Sequence, residues 1–151
     1  MQFKLPTSVL LCVVLSACGG AAEDTGQERP FTRIQEPWAY TSLSEEYVIQ
    51  STTDWATTWH RHEPRWLPAH DPLMIDFGSS MVVGLTRGYG SSLCDTLTIT
   101  RVQETSQRLI IGYARGSSAP GQPCAASLSA LTDFVVIARS AKPVEFVLGD
   151  T

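Results

Sequence analysis

Leu97-Thr98-Ile99-Thr100-Arg101-Val102, the polar stretch Glu104-Thr105-Ser106-Gln107, and then Leu109-Ile110-Ile111-Gly112-Tyr113 together decide the fold class of this chain. From Leu97 to Thr100, apolar residues alternate with β-branched polar ones, the pattern of a strand with one buried and one wet face. The apolar set slips by one place between Ile99 and Val102, which predicts a bulge near Thr100-Arg101. The polar stretch reads as a turn, and the apolar run after it returns as the second strand of a hairpin.

Outward from this hairpin the same period recurs. Met81 to Leu85 and Phe134 to Ala138 are short continuous apolar runs, expected as central strands covered on both faces. A last strand would point Val144, Phe146 and Leu148 inward, and earlier strands are expected around Phe31 to Ile34 and Tyr47 to Gln50. One helix interrupts them. Ser51-Thr52-Thr53 offers N-caps, Asp54 stands in the first turn where the helix dipole favours an acid, and Pro64 ends the segment. Trp55, Thr58, Trp59 and His62 follow at i, i+3, i+4 and i+7, so both tryptophans share the face that packs on the sheet. The expectation is a mainly β fold, an antiparallel β-sandwich or half-open barrel with one short helix.

The N-terminus reads as an address. Lys4 precedes an apolar core from Val9 to Leu15, and Leu15-Ser16-Ala17-Cys18 closes it with small residues before a cysteine. The run is too short for a membrane span of about 20 residues and reads as a signal peptide over residues 1–17. Leu-Ser-Ala-Cys resembles the lipobox of bacterial lipoproteins, which implies lipidation at Cys18 and a lipid bilayer as the first partner. Each buried acyl CH₂ contributes about 0.8 kcal/mol, so several chains hold firmly. Gly19, where an aspartate would signal inner-membrane retention, favours the periplasmic face of the outer membrane in a Gram-negative host. Residues 18–30 lack large apolar side chains and read as a tether; residues 31–151 form a single domain.

Loss of Lys4 with the signal leaves ten basic against fifteen acidic residues, a net charge of −5 with no basic cluster. Nucleic acid is excluded as a partner on this ground. Of four cysteines, Cys12 leaves with the signal and Cys18 is acylated. Cys94 and Cys124 remain as a pair in an oxidising compartment, which favours a disulfide over two thiols. Neither has a Cys or His at metal-ligand spacing.

Catalytic and metal constellations are weak. His60, His62 and His70 with Asp71 and Asp76 invite a zinc or copper site, but residues two apart on a helix point to different sides, so they read as surface histidines. Gly88-Tyr89-Gly90-Ser91-Ser92 carries serines without the spacing of a nucleophile elbow, and Asp76 with Glu145 has no spacing behind it as a carboxylate pair. No catalytic residue, metal ligand or cofactor is assigned. What remains is loop surface: Arg87 to Leu93, and Arg115 to Cys124, with Arg87, Tyr89, Gly90, Ser91, Ser92 and Arg115 as candidate protein-binding residues. Trp38 and Trp66 read as satellite core.

Val48-Ile49-Gln50-Ser51 with Trp55 and Trp59, Ile75-Asp76-Phe77 before Met81-Val82-Val83, the strand Leu97 to Val102, Pro120-Gly121, and Val135-Val136-Ile137-Ala138-Arg139 through Phe146 follow one another over about 100 residues, Val48 to Val147. In this order they resemble the C-terminal-domain family of the protease complex subunit PrcB. The chain departs from that family in having Ser91-Ser92-Leu93-Cys94 at a Gly-Gly-Tyr-like turn, and Asp133 at a proline. The resemblance implies a non-catalytic accessory module for a secreted or surface protease. Two other expectations compete with it. One is a chagasin-like protease inhibitor, although the Asn-Pro-Thr-Thr-Gly-Tyr and Arg-Pro-Trp signatures are missing; the other is a periplasmic protein that binds metal through its histidines.

Overall fold

A computed structural model describes residues 26–119 and 121–149. The segment read as a signal peptide, Cys18 and Pro120 lie outside the described residues. The chain forms two four-stranded sheets stacked as a β-sandwich, with one helix on the outer face of one sheet. Sheet A holds β1 (Gln27–Glu28), β5 (Thr96–Glu104), β6 (Leu109–Gly116) and β8 (Val144–Leu148), in that spatial order. Sheet B runs β2 (Phe31–Arg33), β7 (Ala126–Ala138), β4 (Ser80–Ser92), β3 (Ser44–Ile49), and the helix is α1 (Thr52–His62).

The hairpin and its bulge form as the alternation predicts. β5 and β6 pair antiparallel, and their register shifts between Ile99 and Arg101. All other pairings are antiparallel except β6 with β8. That exception follows from the path of the chain. β7 belongs to sheet B, the turn at residues 139–143 crosses to sheet A, and β8 therefore starts beside Leu109 and runs with β6. Two expectations shift. The domain begins at Gln27, inside the stretch read as tether, because β1 pairs with Glu104 and Gln103 and the Arg29 N–H donates to the Val102 carbonyl at 2.8 Å. Leu148 shares the inward side of β8 but is 56% exposed, since this last position of an edge strand has no cover, whereas Val144 and Phe146 pack against the core.

The continuous apolar runs are explained by two cores. Met81, Val83 and Leu85 of β4, with Val135 and Ile137 of β7, face Ile99, Val102 and Ile111 between the sheets. The alternate residues Val82 and Phe134 face the other way, onto Trp55 and Trp59 of α1 and onto Trp38. Both strands are thus buried on both sides, as their unbroken apolar runs predict. Ser51 caps α1 by accepting the Asp54 N–H at 3.1 Å. Each tryptophan of the helix uses its indole N–H to strap the following loop: Trp55 Nε1 donates to the Leu73 carbonyl at 3.0 Å, and Trp59 Nε1 to the His70 carbonyl at 3.3 Å. Trp38 joins this second core, but Trp66 is not core at all; it is 57% exposed and stacks on Tyr40.

Candidate functional site

The segment Arg87–Ser92, expected as a loop, continues β4 as a strand paired with β7. Gly88 makes this possible. At φ +82° it sits in the left-handed region, and the register steps from Thr86↔Thr132 to Tyr89↔Ala130, so that Arg87 and Gly88 together oppose Leu131. A second irregularity lies between Gly90 and Ser92. The strand pair therefore coils past the end of the sandwich, and its tip meets the start of β5 and the end of β6.

There the chain closes a turn. Asp95 Oδ2 accepts the N–H groups of Ser91 at 2.8 Å and Ser92 at 3.0 Å, while Ser92 Oγ accepts the Cys94 N–H at 3.0 Å. Cys94 is disulfide-bonded to Cys124, which ties this turn to the connection between β6 and β7, and the Leu93 N–H donates to the Ala125 carbonyl at 3.1 Å. A cleft of about 380 Å³ opens beside the turn, walled by Tyr89, Ser91, Asp95, Thr96, Arg115 and Ser117. Small residues bring its walls together. A Cβ at Gly90 would lie 2.3 Å from Asp95 Cβ, and one at Gly116 would lie 2.5 Å from Thr96 Oγ1.

Of the six residues expected to bind protein, Tyr89, Gly90, Ser91 and Arg115 line this cleft. Tyr89 is 54% exposed. Ser92 lies behind them as part of the turn. Arg87 is held elsewhere: its guanidinium pairs with Glu46, donates to the Glu45 carbonyl at 3.3 Å, and stands 5.3 Å above the Tyr113 ring. A strand position, not a loop, sets it there, and it joins β3 and β4 to Tyr113 of the opposite sheet.

The histidines are not brought together. His60 Nδ1 pairs with Glu63 at 3.3 Å and His70 Nε2 with Glu36 at 3.6 Å, both on the surface. His62 is no surface residue but 0% exposed, because position i+7 of the tryptophan face falls under α1 against the Phe134 ring. Among the described residues no group of three or more His, Cys, Asp or Glu side chains is placed to hold a metal. Asp76 and Glu145 also stay apart. Asp76 caps its own turn, accepting from Ser79 Oγ at 2.8 Å and the Gly78 N–H at 2.9 Å, and the Ser79 bond above all holds its carboxyl below the usual range. Glu145 pairs with Arg108 at 2.7 Å.

Two buried polar groups escape sequence reading. Asp133 accepts the Ile99 N–H at 2.7 Å across the sandwich and Arg33 Nε at 3.2 Å, and Arg33 Nη2 returns to the Ile99 carbonyl at 2.6 Å. Burial pushes the Asp133 carboxyl up, while these donors pull it down. Under α1, Tyr47 Oη donates to Glu45 and lies 2.9 Å from His62 Nε2, and His62 Nδ1 has no partner. These contacts assign a neutral ring with its proton on Nε2, since a bare lone pair costs less to bury than a bare N–H. Burial lowers the His62 pKa, with the Arg61 charge adding to it, and burial raises Tyr47 to about 12, helped by Glu45.

No family model, curated protein or solved structure matches this chain.

Proposed function

We propose that this chain is an extracytoplasmic lipoprotein, anchored through Cys18 in the outer membrane, whose domain binds another protein without catalysing a reaction. The observation that carries the reading is the cleft at the disulfide-bonded end of the sandwich. It combines a half-exposed tyrosine, an arginine and an aspartate at an end of the sandwich whose turn and connection a disulfide ties together. Tyrosine and arginine supply much of the energy of protein interfaces, and a braced site loses little entropy on binding. Its wall residues Ser91 and Ser117 have no histidine among the side chains that line the cleft with them, whereas acyl transfer needs a base at the nucleophile. The order of motifs from Val48 to Val147 resembles the PrcB C-terminal family, and this supports a secreted or surface protease as the partner class.

Crosslinking in cells from a photoreactive residue at position 89, read by mass spectrometry, tests this. One partner should be recovered, and Tyr89→Ala or Arg115→Ala should reduce its co-purification at least about tenfold, the loss of roughly one hot-spot contact. Recovery of the same partner at the same yield from both variants would sink the proposal. A second reading, direct inhibition of a protease, rests on the pairing of turn 93–95 with the 117–125 connection at one end of a sandwich. Inhibition of a protease panel by the protein distinguishes it from an accessory role.

A further inference from the structure

The strands place the two ends of the sandwich in different surroundings. The cleft lies where β4 ends and β5 begins, and the chain enters at the opposite end. Gly26 lies against Thr105, whose Cγ2 is 3.1 Å from where a Cβ at position 26 would stand. Lys142 Nζ donates to the Thr105 carbonyl at 2.6 Å, and Gln50 Nε2 to the Ser140 carbonyl at 3.1 Å. Arg139 Nη1 then joins Gln50 to Phe77 by donating to both carbonyls. One continuous surface thus leads from the entering chain to the loop before β4. At that loop Met74 is 97% exposed and Leu73 half-exposed, on the rim of an apolar groove of about 340 Å³ formed with Trp55, Ile75 and Phe77.

We propose that Leu73 and Met74 rest in the interface of the bilayer that anchors the chain, so that the domain stands on this end with its cleft turned away from the membrane. The inference rests on acylation at Cys18. From Cys18 to Gly26 the chain has eight residues, which reach about 27 Å at full extension. The end of the domain where the chain enters therefore stays within about 27 Å of the lipid. Two apolar side chains bind a bilayer only weakly from solution, but the tether supplies a high local concentration, which free partners cannot match. The basic residues at this end are matched by acids, Arg29 and Lys142 by Glu104 and Arg108 by Glu145, so the contact rests on the two apolar side chains and the tether and not on charge.

The test uses the acylated protein in nanodiscs of phosphatidylethanolamine and phosphatidylglycerol. Met74→Cys and, at the far end, Leu128→Cys are labelled with an environment-sensitive fluorophore. The label at 74 should shift to the blue and be quenched by spin-labelled lipid at least about threefold more than the label at 128. Equal spectra and quenching at the two positions overturn the inference. So does a shift at 74 that needs two protein copies per disc, which would mean that a second copy covers the loop. Incorporation of labelled palmitate separates the two levels. Without it both the anchor and this contact fall; with it, a water-exposed label at 74 removes the contact alone.

Discussion

The Phe134 ring occupies the space beside Gly84: a Cβ at position 84 would come within 2.1 Å of Phe134 Cδ1. The two residues are direct cross-strand partners in β4 and β7. Because Gly84 has no side chain, the ring can lie over the sheet and meet Trp38 at 4.9 Å, Tyr47 at 5.4 Å and His62 at 5.6 Å between centroids. One missing methyl group thus seats the aromatic core under α1. Gly84→Ala should destabilise the domain by about 1–3 kcal/mol, the range for overpacking a filled core. Urea unfolding followed by tryptophan fluorescence measures it, and an unchanged midpoint would mean that the ring moves aside freely.

Asp133 accepts the backbone N–H of Ile99 from the opposite sheet. Asp133→Ala would orphan the Ile99 N–H and leave Arg33 without its carboxylate, a loss of about 1–3 kcal/mol for the buried donor. Asp133→Asn keeps an acceptor at the same place and should lose less. Denaturation midpoints of the two variants, compared side by side, check the order.

His62 makes stability depend on pH on the acidic side. Its folded pKa lies below the unfolded value of about 6.5, so the stabilisation is complete above pH 6.5 and is lost as pH falls from there through the folded pKa. Tyr47 acts on the alkaline side. Its folded pKa of about 12 exceeds the unfolded value of about 10, so its contribution is present below pH 10 and is lost as pH rises towards 12. Urea midpoints of wild type should fall between pH 7.5 and pH 5, and those of His62→Gln should fall less over the same interval.

The disulfide closes a loop whose ends are 30 residues apart. Replacing Cys94 and Cys124 together by serine should lower stability by about 3–4 kcal/mol in the chain-entropy model, without a change of fold. Circular dichroism and a denaturant titration measure both. Partner recovery at Tyr89 should weaken as well, because the cleft loses the bond between its two walls.

Several elements were legible from residue order because they depend on near neighbours. The Leu97–Tyr113 hairpin with its bulge, the face of α1 that carries Trp55, Trp59 and His62, and the apolar runs at 81–85 and 134–138 follow from local period and turn chemistry. The pairing of Cys94 with Cys124 rests instead on the expectation that the leader and the lipid take the other two cysteines. Only tertiary structure decided that Arg87 to Ser92 is a coiled strand rather than a loop, since a glycine-rich stretch reads as a turn until its partner β7 is known. It also decided that His62 is buried, that Trp66 is not, and that Asp133 serves Ile99 across the sandwich. Side-chain partners dozens of residues away leave no trace in a periodic pattern. Strand order, the parallel entry of β8, and the position of Met74 at the end where the chain enters depend on which sheet each segment joins, and that is set by the packing of all of them at once.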